Sequence, residues 1–104
     1  MIELMVAWQV GVASVYWEGG RLATGERFVP EHLLVAHKTL PLGSWVEVRV
    51  GAKCLQLQVR DRGPYVKGRV LDLSLGTARA LGVSGTPRVF WRPLPGKGEY
   101  GKVC

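Results

Sequence analysis

The chain has 104 residues, the size of one domain, with 47% hydrophobic and 21% charged residues, a balance that excludes a disordered tail or a fibrous repeat. The formal net charge of +6 favours anionic partners, whether nucleic acid, membrane headgroups or acidic glycans, and does not choose among them. Cys54, Cys104, His32 and His37 lack the close spacing of a metal site, so neither a metal nor a cofactor is expected.

The opening run "MIELMVAWQV" has no basic n-region and is too short an apolar stretch for a leader or a membrane helix. The expectation is a chain without a membrane span, made without a secretory signal. "VGVASVYW", from Val10 to Trp17, is rich in β-formers and reads as a strand, and the glycines of "EGGRLATGERF" mark an irregular loop after it. "PEHLLVAHKTL" predicts a turn or two of helix following Pro30. Next, "WVEVRV" and "LQLQVR" each alternate apolar and polar residues on either side of "GAKC". That period of two predicts a β-hairpin with one face in a core. Its second strand delivers the chain to Asp61, Gly63 and Pro64 turn it, and "RVLDL" resumes as a short strand. "SLGTARALG" predicts a helix capped by Ser74 and closed by Gly82. "PRVFWRPL" is a last strand, and residues 93–104 form a glycine-rich tail. One domain over residues 1–104 is expected, mostly β, with its strand edges hidden in a small closed barrel.

Cys54 and Cys104 either pair or stay as free thiols. A bridge over so long a loop is worth about 4 kcal/mol in the chain-entropy model.

Four stretches in order, "GVASVYW", "GRLATGERF", "LLVAHKTLPLGSWVEVRV" and "VRDRGPYVKGRVLDLSLGTARALG", cover nearly everything from Gly11 to Gly82. Together they resemble the rare lipoprotein A group, double-psi β-barrel domains that act as lytic transglycosylases on bacterial peptidoglycan. Expansins and barwin-like proteins are more distant relatives of that fold. The resemblance implies a mainly β fold: a small six-stranded double-psi β-barrel with one or two short helices and a family-like core over about residues 11–92. It also implies that Glu26 of "TGERF", His37 of "AHKT" and Asp61 of "RDRGP" are the catalytic positions. Where the family commonly shows Ser-Trp-Tyr-Gly, this chain has Ser14-Val15-Tyr16-Trp17.

The chemistry asks for few groups. A carboxylic acid protonates the leaving oxygen between N-acetylmuramic acid and N-acetylglucosamine. A base then removes the proton of the muramic C6 hydroxyl, which closes a 1,6-anhydro ring, and one carboxyl can do both in turn. Asp61 sits at a strand end before a rigid turn, as such a group should, yet Arg60 and Arg62 flank it, and close cations hold a carboxyl ionised. Strand alternation would aim both arginines away from it. The plainer reading makes Asp61 a turn-holding acceptor, and Glu26 an exposed loop acid. His37 either orients a carboxylate or caps local backbone. Asp72 lies between two core-facing leucines and is expected to make a structural hydrogen bond. Tyr16, Trp17 and Tyr65 are candidates to stack on sugar rings, and Thr24 to hydrogen-bond them. Lys38, Arg62, Lys67 and Arg69 would meet the lactyl carboxylates of peptide-poor glycan strands.

Three rivals stand beside the enzyme: an expansin-like module that binds wall glycan without cutting it, a nucleic-acid binder, and a phage structural or lysis protein. The nucleic-acid reading lacks any motif to carry it, so glycan is the expected partner of a monomer. The expected place of action is the cell wall or periplasm, reached by phage release or another route.

Overall fold

The computed structural model describes residues 6–104, so the expectations resting on the first five residues fall outside the described part. Six strands and one helix follow in order: β1 (Gln9–Tyr16), β2 (Val35–Ala36), β3 (Trp45–Val50), β4 (Lys53–Asp61), β5 (Arg69–Ser74), α1 (Leu75–Leu81) and β6 (Arg88–Leu94). The strands close into a barrel in the order β1-β5-β2-β4-β3-β6. The expected mainly β, six-stranded double-psi barrel is therefore the fold, with a single short helix among the described residues.

The hairpin forms as its alternation requires. β3 and β4 pair antiparallel with Val46 opposite Leu57 and Val48 opposite Leu55. These side chains fill the barrel with Ala13, Val35, Val59, Leu71, Leu73, Val89 and Trp91. Helix α1 also forms as its caps require: Ser74 Oγ accepts from the Thr77 N–H, and Gly82 ends the helix in the left-handed region at φ 71°.

The predicted helix after Pro30 does not form. Leu34 N–H is captured by Ser74 Oγ at 3.2 Å and Thr77 Oγ1 at 3.0 Å, and Val35–Ala36 enter the sheet between β4 and β5. A strand slot far along the chain overrides the local propensity. Glu47 also departs from the simple alternation. It is 6% exposed, and its carboxylate pairs with Arg92 at 2.8 Å, while the Arg92 guanidinium lies 4.1 Å over the Trp8 ring.

Residues 95–104 do not hang free. Cys104 is bonded to Cys54 across a sequence separation of 50. Backbone hydrogen bonds join Gln56 to Lys102 and Gly101, and Tyr100 lies under the Arg60 guanidinium at 4.8 Å. Glu47, Cys54 and Cys104 bring three potential ligand atoms together. The disulfide and the Arg92 ion pair already occupy them.

Among the described residues no helix is long and apolar enough to cross a membrane.

Candidate active site

The site lies where β4, β2, β5 and β1 run side by side. Val35 of β2 pairs with Val59, and Ala36 pairs with Asp61, so Arg60 is an extra residue in β4. This bulge moves Asp61, and not Arg60, beside Ala36. On the other side Ala36 pairs with Asp72 of β5, which in turn pairs with Ser14 of β1. Four residues therefore form one row across the sheet: Asp61, Ala36, Asp72, Ser14. Leu71 and Leu73, the neighbours of Asp72, fill the barrel. By strand alternation the row faces outward from that core.

Residues 17–34 fold over this outer face. Tyr16 stacks on Phe28 with ring centroids 4.7 Å apart, and the pair packs with Leu22 and Leu34 as a second apolar cluster. The row thus has a dry wall on one side.

Asp61 is half-buried, and its Oδ1 accepts from the backbone N–H groups of Ala23 and Arg62, both at 2.9 Å. It does hold the turn, as the plainer reading has it, but with one oxygen. The arginines beside it are engaged elsewhere. Arg62 donates to the backbone carbonyls of His37 and Leu40. Arg60 donates to Gln58 and pairs with Glu26 at 3.5 Å.

Glu26 sits half-exposed at the rim, with Thr24 Oγ1 donating to its Oε1 at 2.9 Å. Both of its oxygens face donors. Thr24 is thus tied to Glu26. His37 follows β2, and its Nδ1 accepts from the backbone N–H groups of Thr39 and Leu40. Burial, with Arg62 and Lys38 nearby, pushes the imidazole below its ordinary value. It is therefore neutral at pH 7 with its proton on Nε2. The backbone-capping reading holds for Nδ1, and Nε2 remains a donor.

Asp72 differs from the other two carboxyls. Burial pushes it above the ordinary carboxylate value; a Ser14 hydrogen bond pulls it down, the Asp61 charge pushes it up, and Arg69 pulls it down. Arg69 also donates to Ser14 Oγ at 3.2 Å. The Tyr16 phenol is pushed up by burial and by the charges of Asp61 and Asp72, and its buried hydroxyl has no hydrogen-bond partner among the described residues. Gly63, at φ 119°, lies so close to this group that a Cβ there would stand 3.1 Å from Asp72 Oδ2. The sequence reading gave Asp72 a structural hydrogen bond; the residues that surround it come from other strands.

Exposed groups frame the row. Trp17, 59% exposed, and Tyr65, 80% exposed, stand at the ends of β1 and of the Gly63 turn. Trp17 lines a shallow depression with Val15, Tyr16 and Glu18. Lys38 and Lys67 are exposed, whereas Arg62 and Arg69 are partly buried in the hydrogen bonds already described.

A closed six-stranded barrel in the order β1-β5-β2-β4-β3-β6, with two aspartates in one cross-strand row, defines the class of double-psi β-barrel domains. The comparisons narrow it. The family model described as lytic transglycolase matches residues 8–92, and the chain belongs to that family. It is similar to the "Probable endolytic peptidoglycan transglycosylase RlpA" of Nostoc sp., 46% identical over 83 residues, which are 73% of this chain and 22% of the relative. It is also 46% identical over 86 residues to the "Endolytic peptidoglycan transglycosylase RlpA" of Yersinia pestis, covering 78% of this chain and 24% of the relative. The chain thus spans about a quarter of the length of these relatives. Among solved structures, the Streptomyces papain inhibitor superposes with a TM-score of 0.65 at 23% identity, covering 85% of this chain and 94% of the other. At that identity the likeness speaks for the fold alone.

Proposed function

We propose that this chain cleaves the bond between N-acetylmuramic acid and N-acetylglucosamine in peptidoglycan strands, closing a 1,6-anhydro ring on the muramic acid. The observation that carries the reading is the rim itself. Asp61 is held through Oδ1 by two backbone N–H groups and shares one cross-strand row with Asp72 and Ser14, while Trp17, three residues beyond Ser14, and Tyr65, four beyond Asp61, are exposed. Relatives named as peptidoglycan transglycosylases supply the substrate class.

In this reading a glycan strand lies across the row, with sugar rings against Trp17 and Tyr65. The anchored Asp61 carboxylate faces the positive charge that develops at the muramic C1 as the glycosidic bond breaks. His37 presents Nε2–H to the same region. Glu26 holds Arg60 and, through Thr24, the loop that covers Asp61; its role is positioning. Lys38 and Lys67 meet lactyl carboxylates where the peptides have been removed. The place of action is the cell wall.

The test is mass spectrometry of peptide-free glycan strands digested in the presence of EDTA. The expected products end in anhydro-muramic acid, one water lighter than hydrolysis products. Products with reducing ends would make the protein a hydrolase. Binding without release would make it an expansin-like binder.

A further inference from the structure

We propose that Asp72, and not Asp61 or Glu26, is the proton donor of the site, with Asp61 as its partner across Ala36, facing the charge that develops at C1. The assignment rests on the transglycosylase reading above and adds to it a residue and a division of labour.

The geometry carries it. Asp61 and Asp72 both pair with Ala36, one from each side of the two-residue strand β2, so the two carboxyls rise from the same face with only a methyl side chain between their positions. The two carboxyls differ in the donors that reach them. Asp61 is the better supplied, with two backbone N–H donors on Oδ1. Glu26 is supplied from both sides, by Thr24 and by Arg60. Asp72 is offered the Ser14 hydroxyl, which it shares with Arg69, and faces Asp61. Burial and that neighbouring charge hold its proton above the usual carboxylate range.

The remaining groups around Asp72 agree. From β1 come the Ser14 hydroxyl and the buried, unpartnered Tyr16 phenol. The end of β4 brings Asp61, with Arg62 next along the chain, and β5 itself brings Arg69; His37 and Lys38 follow Ala36 directly in the chain. Gly63 leaves Oδ2 uncovered where any larger residue would crowd it.

The steps balance without a co-reactant. Asp72 gives its proton to the glycosidic oxygen as the muramic C1–O bond breaks, and the N-acetylglucosamine leaves as an alcohol. Asp61 offsets the charge at C1. The Asp72 carboxylate then takes the proton of the C6 hydroxyl as O6 bonds to C1. Asp72 ends protonated, as it began.

The test uses two substrates and one titration. Asp72→Asn should cleave peptide-free glycan strands at least ~10²-fold more slowly, as for loss of a general acid. On a GlcNAc–MurNAc disaccharide with a nitrophenyl leaving group, which departs without a proton, the same substitution should cost less, since only the deprotonation of the C6 hydroxyl is then lost. Asp61→Asn should be slow on both. In wild type the rate on glycan should fall as pH rises through the Asp72 titration, and a carbon-13 NMR titration should place that carboxyl above the ordinary carboxylate value. The Asp72 titration should shift down in Asp61→Asn. The titration needs no Asp72 variant, so it decides the matter even where Asp72→Asn fails to fold. Wild-type glycan cleavage by Asp72→Asn, equal losses on both substrates, or an Asp72 carboxyl titrating at or below the ordinary carboxylate value would each overturn the assignment. Failure of wild type to make anhydro products from any substrate would instead sink the transglycosylase reading.

Discussion

Glu26 and Asp72 are both acids beside Asp61, and the barrel treats them in opposite ways. Glu26 stands on an irregular loop, half-exposed, with a hydroxyl on one oxygen and a guanidinium near the other. Asp72 stands on a strand, half-buried, beside a second carboxylate and a buried phenol that has found no acceptor. The lesson is about supply. Loop acids collect donors because side chains and water can reach them, and they keep their charge. A strand acid can collect only what neighbouring strands bring, and here those strands bring another acid.

Three substitutions sharpen or break this contrast. The largest effect is expected from Asp61→Asn. The amide oxygen still accepts from Ala23 and Arg62, so thermal stability should stay near wild type, while loss of the charge should slow glycan cleavage by ~10²-fold or more. Unfolding of Asp61→Asn with specific activity intact would reduce Asp61 to a turn anchor. Glu26→Gln should do less. Its pair with Arg60 is partly exposed, and such pairs are worth about 0–1 kcal/mol, so cleavage should fall about 5-fold at most. The alkaline fall of the pH–rate profile should remain. Disappearance of that fall in Glu26→Gln would move the proton donor to the loop.

The smallest effect concerns stability. Because the folded state holds the Asp72 proton more tightly than the unfolded chain, Asp72 ionisation costs stability. The cost grows as pH rises from the unfolded carboxylate value through the raised folded one, and it is fully present above both. Asp72→Asn removes it. The melting temperature should therefore rise slightly at pH 7 and match wild type near pH ~3, where both forms are neutral. A lower melting temperature at pH 7 would mean that the Asp72 charge is a net structural partner, with Arg69 the first suspect.

What was legible in the sequence had local causes. The hairpin could be read from valines and leucines at every second position, and helix α1 from Ser74 and Gly82 at its ends. Asp61, Glu26 and His37 could be placed by resemblance to a family. The rest depended on residues far apart in the chain. Nothing within "HLLVAHK" says that only Val35 and Ala36 become a strand, because the captors of the Leu34 N–H sit 40 and 43 residues later. Glu47 reads as an outward residue until Arg92, 45 positions away, arrives beside it. Alternation alone would set Arg60 beside Ala36, and the bulge sets Asp61 there instead. Asp72 was read only as a structural hydrogen-bonder for the same reason: it sits in "VLDLS" between core leucines, and the residues beside it come from β1, β2 and β4.

The strand order carries a kinetic consequence. β1 lies between β5 and β6, with Gln9 opposite Trp91 and Val12 beside Arg69, and β2 lies between β4 and β5. The first two strands therefore have no partner until most of the chain exists. On a ribosome the hairpin β3–β4 is free to form early, but the barrel stays open until residues 88–94 have emerged. Ring closure of that kind is slow, on the order of milliseconds to seconds, because long loops must be ordered before any pairing rewards them. Until it closes, the edges of β1 and β3 that receive β6 are unsatisfied, and crowded nascent or refolding chains are exposed to pairing with one another.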